Sequence, residues 1–109
     1  MLAEHQLLNI TYRIEPGTLG SNGMDFIEGF CGFLMNQSQD FYPQVIRLNI
    51  VPRYDKSLPE KDFFVMKKHI SYEQAEKYLQ AINLDIEDIE DQLDDRTSLM
   101  VDDYFAQHS

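Results

Sequence analysis

The sequence predicts a single α+β domain whose elements follow the order β-α-β-β-α-α. Three observations lead to this fold class: stretches of alternating polarity, amphipathic helical stripes, and a length of 109 residues, which suits one modest hydrophobic core. The composition is 43% hydrophobic and 12% aromatic, which is enough apolar surface to offset the chain entropy lost on folding. We therefore expect residues 1–109 to form one folded domain.

The first strand is predicted in LLNITYRI, residues 7–14, because apolar and polar side chains alternate there. A turn rich in glycine follows, and Ser21 or Asn22 then caps a helix with a broad apolar face. Gly29 and Gly32 weaken this helix by about 1 kcal/mol each relative to alanine. We therefore expect another element, such as a sheet, to pack closely against these two glycines.

Two further strands are predicted in QVIRLNIV, residues 44–51, and DFFVMKKHI, residues 62–70. The second of these is apolar on both faces at its start, which is typical of a central strand. We therefore predict a three-stranded mixed sheet of order 1-3-2, a split β-α-β arrangement with the helices packed on one face.

The last two helices have clear boundaries. Ser71 and Gln74 form a capping box at the start of the first, and Asn83 is its predicted C-cap. Asp85 then caps a C-terminal acidic amphipathic helix that begins at about residue 85. Apolar residues recur along it at steps of three, four and seven, and we expect a break near Thr97 or Ser98.

The overall charge excludes several classes of ligand. The formal net charge is -10, which repels phosphate backbones and anionic lipids, so we expect no direct binding to nucleic acid or to a membrane. The start of the chain lacks a basic segment followed by an apolar run, and Cys31 alone cannot form an intrachain disulfide. The expected location is cytoplasmic.

No residue pattern predicts catalysis, a cofactor or a metal. Cys31 lies among aromatic residues of a helix, where a cysteine usually serves as a small core side chain. His5, His69 and His108 are far apart in sequence, without the spacing of a transition-metal site. The glycine-rich turn lacks the lysine of a phosphate-binding loop, and the acidic helix lacks the glycine of a calcium loop.

Charge is distributed unevenly, and this asymmetry indicates two candidate partner-binding surfaces. The stretch from Leu84 to Phe105 contains nine carboxylates and one arginine. A second candidate is the loop containing Arg53 and Tyr54, because arginine and tyrosine are enriched at interface hot spots. The candidate partner-binding residues are Glu87, Asp88, Glu90, Asp91, Asp94, Asp95, Arg53 and Tyr54.

Three classes of function remain open. The favoured one is a small acidic interaction module, of an accessory, inhibitory or immunity type, that binds another protein with a basic surface. The second is a mimic of nucleic acid that inhibits a DNA- or RNA-binding protein. The third is a small enzyme whose acid and base, among them Glu15, His5 or His69, are brought together only by folding. Homo-oligomerisation is also left open.

Overall fold

The computed structural model describes residues 6–107 and confirms the α+β class. The chain divides into two compact units, Met1–Ile70 and Ser71–Ser109. The first contains all the strands and one α-helix, and the second contains two α-helices. The elements are β1 (Leu8–Ile14), α1 (Gly23–Gln37), β2 (Ile46–Pro52), β3 (Lys61–Val65), β4 (Lys68–Ile70), α2 (Tyr72–Gln80) and α3 (Ile86–Gln107). The predicted single-domain organisation stays a prediction.

The four strands form one mixed sheet of order β2-β1-β3-β4, so the predicted three-stranded sheet of order 1-3-2 is wrong. β1 pairs with β2 in parallel and with β3 in antiparallel orientation. Strands joined by one crossover are usually neighbours, and here β1 and β2 pair directly. The third strand therefore takes the other edge of β1, instead of separating the first two strands.

The prediction of a single strand in residues 62–70 is also wrong, because these residues form most of a hairpin made of β3 and β4. β3 and β4 pair in antiparallel orientation around Met66 and Lys67, whose φ angles are 54° and 65°. Two central residues with positive φ are the mark of a type I′ hairpin turn, which usually contains asparagine and glycine. Neither residue is present here, so the sequence lacks the usual signal for the turn.

The core of the first unit lies on one side of β1. Alternate β1 residues, including Leu8 and Ile10, are buried, whereas Asn9, Thr11 and Arg13 between them are only partly buried. α1 packs against β2, and its buried residues are Gly23, Ile27, Phe30, Cys31 and Leu34. The predicted placement of the last two helices on the same face stays a prediction.

The start of α1 requires glycine, but its middle does not. A short 3-10 helix, Pro16–Leu19, packs on the first turn of α1, and a Cβ at Gly23 would lie 1.7 Å from the carbonyl oxygen of Pro16. At Gly32 a Cβ would meet nothing within 4 Å, and the residue is exposed. The predicted close packing against Gly32 is therefore wrong.

In the second unit, the predicted starts of both helices, at Ser71 and at Asp85, are confirmed. The hydroxyl of Ser71 accepts a hydrogen bond from the backbone N–H of Gln74, and the Gln74 side chain accepts one from the N–H of Ser71. The predicted C-cap at Asn83 is wrong, because α2 ends at Gln80 with Ala81 as its C-cap, and Asn83 follows two residues later with a φ of 64°. Asp85 Oδ1 accepts a hydrogen bond from the N–H of Glu87 at 3.1 Å, at the start of α3.

α3 runs without a break, so the predicted interruption near Thr97 or Ser98 is wrong. Thr97 is buried, and its hydroxyl donates to the carbonyl oxygen of Leu93 at 2.8 Å. This bond gives the hydroxyl a partner within the helix, as threonine often does. Within residues 6–107, no helix combines the length and the apolar character needed to span a membrane.

Exchanging the two glycines for alanine should have opposite effects on stability. Gly23→Ala should lower the free energy of unfolding by about 1–3 kcal/mol, because the new methyl group overlaps the backbone of Pro16. Gly32→Ala should raise it by about 1 kcal/mol, because the methyl group meets open space in a helix interior. Urea unfolding of both variants tests this, and equal effects would contradict the packing of the 3-10 helix on α1.

The hairpin turn should be a site of easy stabilisation. Replacing Met66 and Lys67 by asparagine and glycine should raise the free energy of unfolding by about 1 kcal/mol, because both residues tolerate positive φ. Lys56→Gly, in an exposed loop without positive φ at that residue, is the control and should not stabilise. Loss of stability in the turn variant would show that residues 66 and 67 do not form this turn.

Candidate functional site

The acidic residues predicted to bind a partner lie together on α3, opposite its buried stripe. The buried residues of the helix are Ile86, Ile89, Leu93, Thr97 and Tyr104. At 3.6 residues per turn, most of the carboxylates point away from that stripe, and all but the half-buried Glu90 are exposed. The acidic face is defined as Glu87, Asp88, Glu90, Asp91, Asp94 and Asp95.

Members of the acidic face differ in how much they are engaged within the protein. Asp88 accepts a hydrogen bond from Gln92 Nε2 at 2.9 Å, one turn further along α3. Asp91 and Asp95 are exposed and make no side-chain hydrogen bond or ion pair with any residue in the described part of the chain. These two carboxylates are the ones most available to a partner.

A tyrosine on α2 connects the two helices of the second unit through the acidic face. The hydroxyl of Tyr72 donates to Glu90 Oε1 at 2.9 Å. Desolvation, this hydrogen bond and the negative charges of Glu90, Glu87 and Glu76 raise the pKa of Tyr72 to about 12. The phenol therefore stays protonated at neutral pH, so it keeps donating to Glu90.

The position of the acids along α3 limits their cost to the helix. Glu87 and Asp88 lie in the first turn, where negative charge interacts favourably with the helix dipole. Asp91 and Asp95 are four residues apart, a spacing at which like charges repel by a few tenths of a kcal/mol. The favourable interaction with the helix dipole therefore offsets part of the repulsion between the carboxylates of α3.

Arg53, the predicted cationic contact, is largely engaged in holding its own loop. Its Nη1 lies 2.7 Å from Glu15 Oε1, and its Nε and Nη2 both donate to the carbonyl oxygen of Leu58. Nη2 also lies 3.3 Å from the carbonyl oxygen of Lys56. These bonds order the loop between β2 and β3, while a role of Arg53 in partner binding stays a prediction.

Tyr54 is more accessible than its neighbour. Its side chain is 53% exposed, and its hydroxyl donates to Glu28 Oε1 of α1 at 3.0 Å. Desolvation, followed by the hydrogen bond and charge of Glu28, raises the pKa of this phenol above its ordinary value. Arg53 and Tyr54 belong to the first unit and the acidic face to the second, so the candidate residues fall into two separate groups.

The structure also brings together three polar residues that sequence reasoning did not connect. Arg13 of β1 donates to Asp62 Oδ2 of β3 at 2.6 Å, and His69 Nε2 of β4 lies 3.0 Å from Asp62 Oδ1. Arg13 Nη1 also donates to the carbonyl oxygen of Pro59. Phe64 is paired with Asn9 of β1 and with His69 of β4, so the side chains of these three residues point to the same face of the sheet. Side chains two or four residues apart on a strand share a face, so Arg13 and Asp62 also lie on this polar face.

Asp62 is the central member of this network, and it is held ionised. Desolvation alone would raise the pKa of Asp62, but the hydrogen bonds and positive charges of Arg13 and His69 outweigh it. The pKa of Asp62 therefore lies below its ordinary value. Side-chain exposure is 14% for Arg13 and 15% for Asp62 but 62% for His69, so the ion pair is covered and the imidazole is open.

The residues named as a possible acid and base for catalysis are not brought together in the described part of the chain. Glu15 pairs with Arg53, His69 meets Asp62, and His5 lies outside the described residues. Cys31 is buried as predicted, and desolvation with the charge of Glu28 raises its pKa to about 12, which keeps the thiol protonated. Within residues 6–107, no cluster of histidine, cysteine and carboxylate side chains has an arrangement suited to a metal ion.

A cavity of about 340 Å³ lies in the first unit. It lies between the C-terminal end of α1, the loop that follows it, and β2. Ser38 lines this cavity. Sequence reasoning missed it, because the lining residues look like an ordinary helix-breaking loop next to a strand.

Comparison of the chain with models of protein families, with curated proteins and with solved structures finds no match.

Stability should depend on pH through Asp62. Its pKa is lower in the folded than in the unfolded protein, so its ionised form stabilises the fold above about pH 4, the unfolded value. This contribution is lost as the pH falls through the lower folded pKa. Asp62→Asn should therefore cost about 1–3 kcal/mol at pH 7 and clearly less near pH 2.

Urea unfolding at both pH values checks this dependence. Asp91→Asn is the matched control, because it removes an exposed carboxylate that has no partner in the described chain, and it should stay close to the wild-type stability at pH 7. A cost of Asp62→Asn that is the same at both pH values would show that the carboxylate charge is not what stabilises the network.

Proposed function

We propose that this protein is a small interaction module that uses the acidic face of α3 to bind a basic surface of another protein. The observation that carries the proposal is the exposure of Asp91 and Asp95, whose charges no described residue neutralises. Charges that are left unpaired on a folded surface remain available to steer a partner of opposite charge.

The charge balance of the molecule supports the same proposal. The formal net charge is -10, and two of the arginines, Arg13 and Arg53, are ion-paired to Asp62 and Glu15. A basic protein partner would meet a net negative surface, whereas nucleic acid and anionic membranes would be repelled. The proposal includes a cytosolic location, for which the single cysteine of the sequence is the support.

Association with the partner should slow when the unpaired charges are removed. Asp91→Asn combined with Asp95→Asn should reduce the association rate several-fold at low salt and flatten its salt dependence, with a smaller effect on dissociation. The matched control is Asp25→Asn with Glu73→Gln, which removes the same charge from exposed positions on α1 and α2. The control variant should associate at a rate closer to that of the wild type.

The partner is first captured from extracts of the native host at low and high salt, with all three forms of the protein. One specific protein should be retained by wild type and control, and should be reduced with the α3 variant and at high salt. Stopped-flow measurements with that protein then give the rates. Equal rates for wild type and the α3 variant would remove the acidic face from the interface and refute the proposal.

A further inference from the structure

The cavity in the first unit lies beside the open edge of the sheet. β2 is the terminal strand, paired only with β1 within the described sheet. The cavity volume, about 340 Å³, is at the lower end of the range for small-molecule pockets, and suits one large side chain. It is lined by Met35, Ser38, Gln39, Phe41, Pro43 and Ile46, with Arg47 and Leu48 at the strand.

The backbone of Leu48 faces outward at this edge. Leu8 N–H donates to the carbonyl oxygen of Val45, and Arg53 N–H donates to that of Ile14. In a parallel ladder, these two bonds show that the N–H and C=O groups of the odd-numbered β2 residues point toward β1. The backbone groups of the even-numbered residues point the other way, so the N–H and C=O of Leu48 face outward from the edge of the sheet.

The outward-facing N–H groups on either side of Leu48 already have partners within the protein. The N–H of Ile46 donates to the carbonyl oxygen of Tyr42 at 2.8 Å, and the N–H of Ile50 contacts Met35 Sδ at 3.3 Å. A long added strand would lose these bonds, but a short segment placed opposite Leu48 would not. In an antiparallel pairing, one residue of such a segment exchanges two backbone hydrogen bonds with Leu48.

Ser38, one of the residues that line the cavity, carries a buried hydroxyl. Ser38 is 5% exposed, and its Oγ has no hydrogen-bond partner within the described chain. Native proteins rarely bury a polar group without a partner, so each case calls for an explanation. Removal of this hydroxyl should therefore not destabilise the fold.

The loop that frames the cavity is held in an uncommon conformation. Tyr42 has a φ of 43°, in the left-handed region that favours glycine, and its carbonyl oxygen accepts bonds from both Val45 and Ile46. Residues other than glycine keep such a conformation only where their surroundings enforce it, and these residues cluster at ligand sites.

The side chains of β2 define which peptide fits. Leu48 and the residue paired with it have their side chains on the same face of the sheet, so the paired residue places its side chain toward the cavity. The residues on either side of it point to the opposite face, as Arg47 does. Arg47 lines the cavity and its Nη1 donates to the carbonyl oxygens of Pro43 and Ile46, which fixes its positive charge.

We propose that the β2 edge binds a short extended peptide segment of a partner protein, paired through its backbone with Leu48. The paired residue is apolar and fills the cavity next to Ser38, and an adjacent aspartate or glutamate interacts with Arg47. This is recognition by strand addition, in which backbone bonds give affinity and a side-chain pocket gives selectivity. It goes beyond the proposed function, because it uses another surface and an acidic instead of a basic partner.

The test uses four acetylated and amidated three-residue peptides of the form Asp-X-Asp, where X is leucine, isoleucine, phenylalanine or methionine. Titration of the full chain is followed by amide NMR. At least one peptide should shift the Leu48 amide signal in a saturable way and slow its hydrogen exchange. The same peptide with an N-methyl group on X, which removes the N–H donated to Leu48, should bind at least tenfold more weakly.

Variants of the protein separate the cavity from the rest of the surface. Ser38→Leu, which fills the cavity, should abolish binding, and Arg47→Gln should weaken it several-fold. Ser38→Ala should bind as wild type does and should leave the protein at least as stable, because it removes only a buried hydroxyl that has no partner in the described chain. Asn49→Ala is the matched control, because this exposed residue of β2 does not line the cavity, and it should bind as wild type does.

Three results would overturn the proposal. The first is the absence of a saturable shift of the Leu48 amide signal with any of the four peptides at millimolar concentration. The second is equal affinity for the N-methylated and the unmethylated peptide, and the third is wild-type affinity of Ser38→Leu. The acidic-face variant Asp91→Asn with Asp95→Asn should bind the peptide as wild type does. Failure of peptide binding and failure of the proposed function are therefore observed independently.

Discussion

β1 is the strand on which the rest of the sheet depends. Leu8 N–H bonds to Val45 beside β2, and Arg13 N–H bonds to Glu60 beside β3, so even-numbered amides of β1 face one neighbour and odd-numbered amides face the other. The side chains of β1 alternate between the two faces of the sheet, with Leu8 and Ile10 buried on one face and Arg13 on the polar face. One strand thus fixes the sheet order, the core and the position of the ion pair with Asp62.

The placement of β1 also explains where one of the two proposed binding surfaces arises. β2 has a neighbour on one side only, which leaves Leu48 at an open edge next to the cavity, while its ends are tied to Tyr42 and Met35. In the second unit, the capped start of α3 and its buried stripe leave carboxylates such as Asp91 on the outside. The two surfaces differ in chemistry: one offers backbone bonds and an apolar cavity, the other offers charge.

Local patterns in the sequence predicted local structure well. The alternation in residues 7–14 and the capping box at Ser71 each depend on neighbours a few residues apart, and both are confirmed. The hairpin was missed because Met66 and Lys67 carry no turn signal, and the sheet order because pairing between strands depends on contacts that periodicity does not encode. The acidic face could be listed from the sequence, but the contact between Arg13 and Asp62, 49 residues apart, required the fold.

Amide hydrogen exchange along β1, followed residue by residue by NMR, tests the central position of this strand most directly. The account predicts strong protection of Ile10 and Tyr12, which face β2, and equally of Thr11 and Arg13, which face β3. Protection that alternates along β1, with every second amide exchanging as fast as in an open strand, would identify β1 as an edge strand and contradict the account.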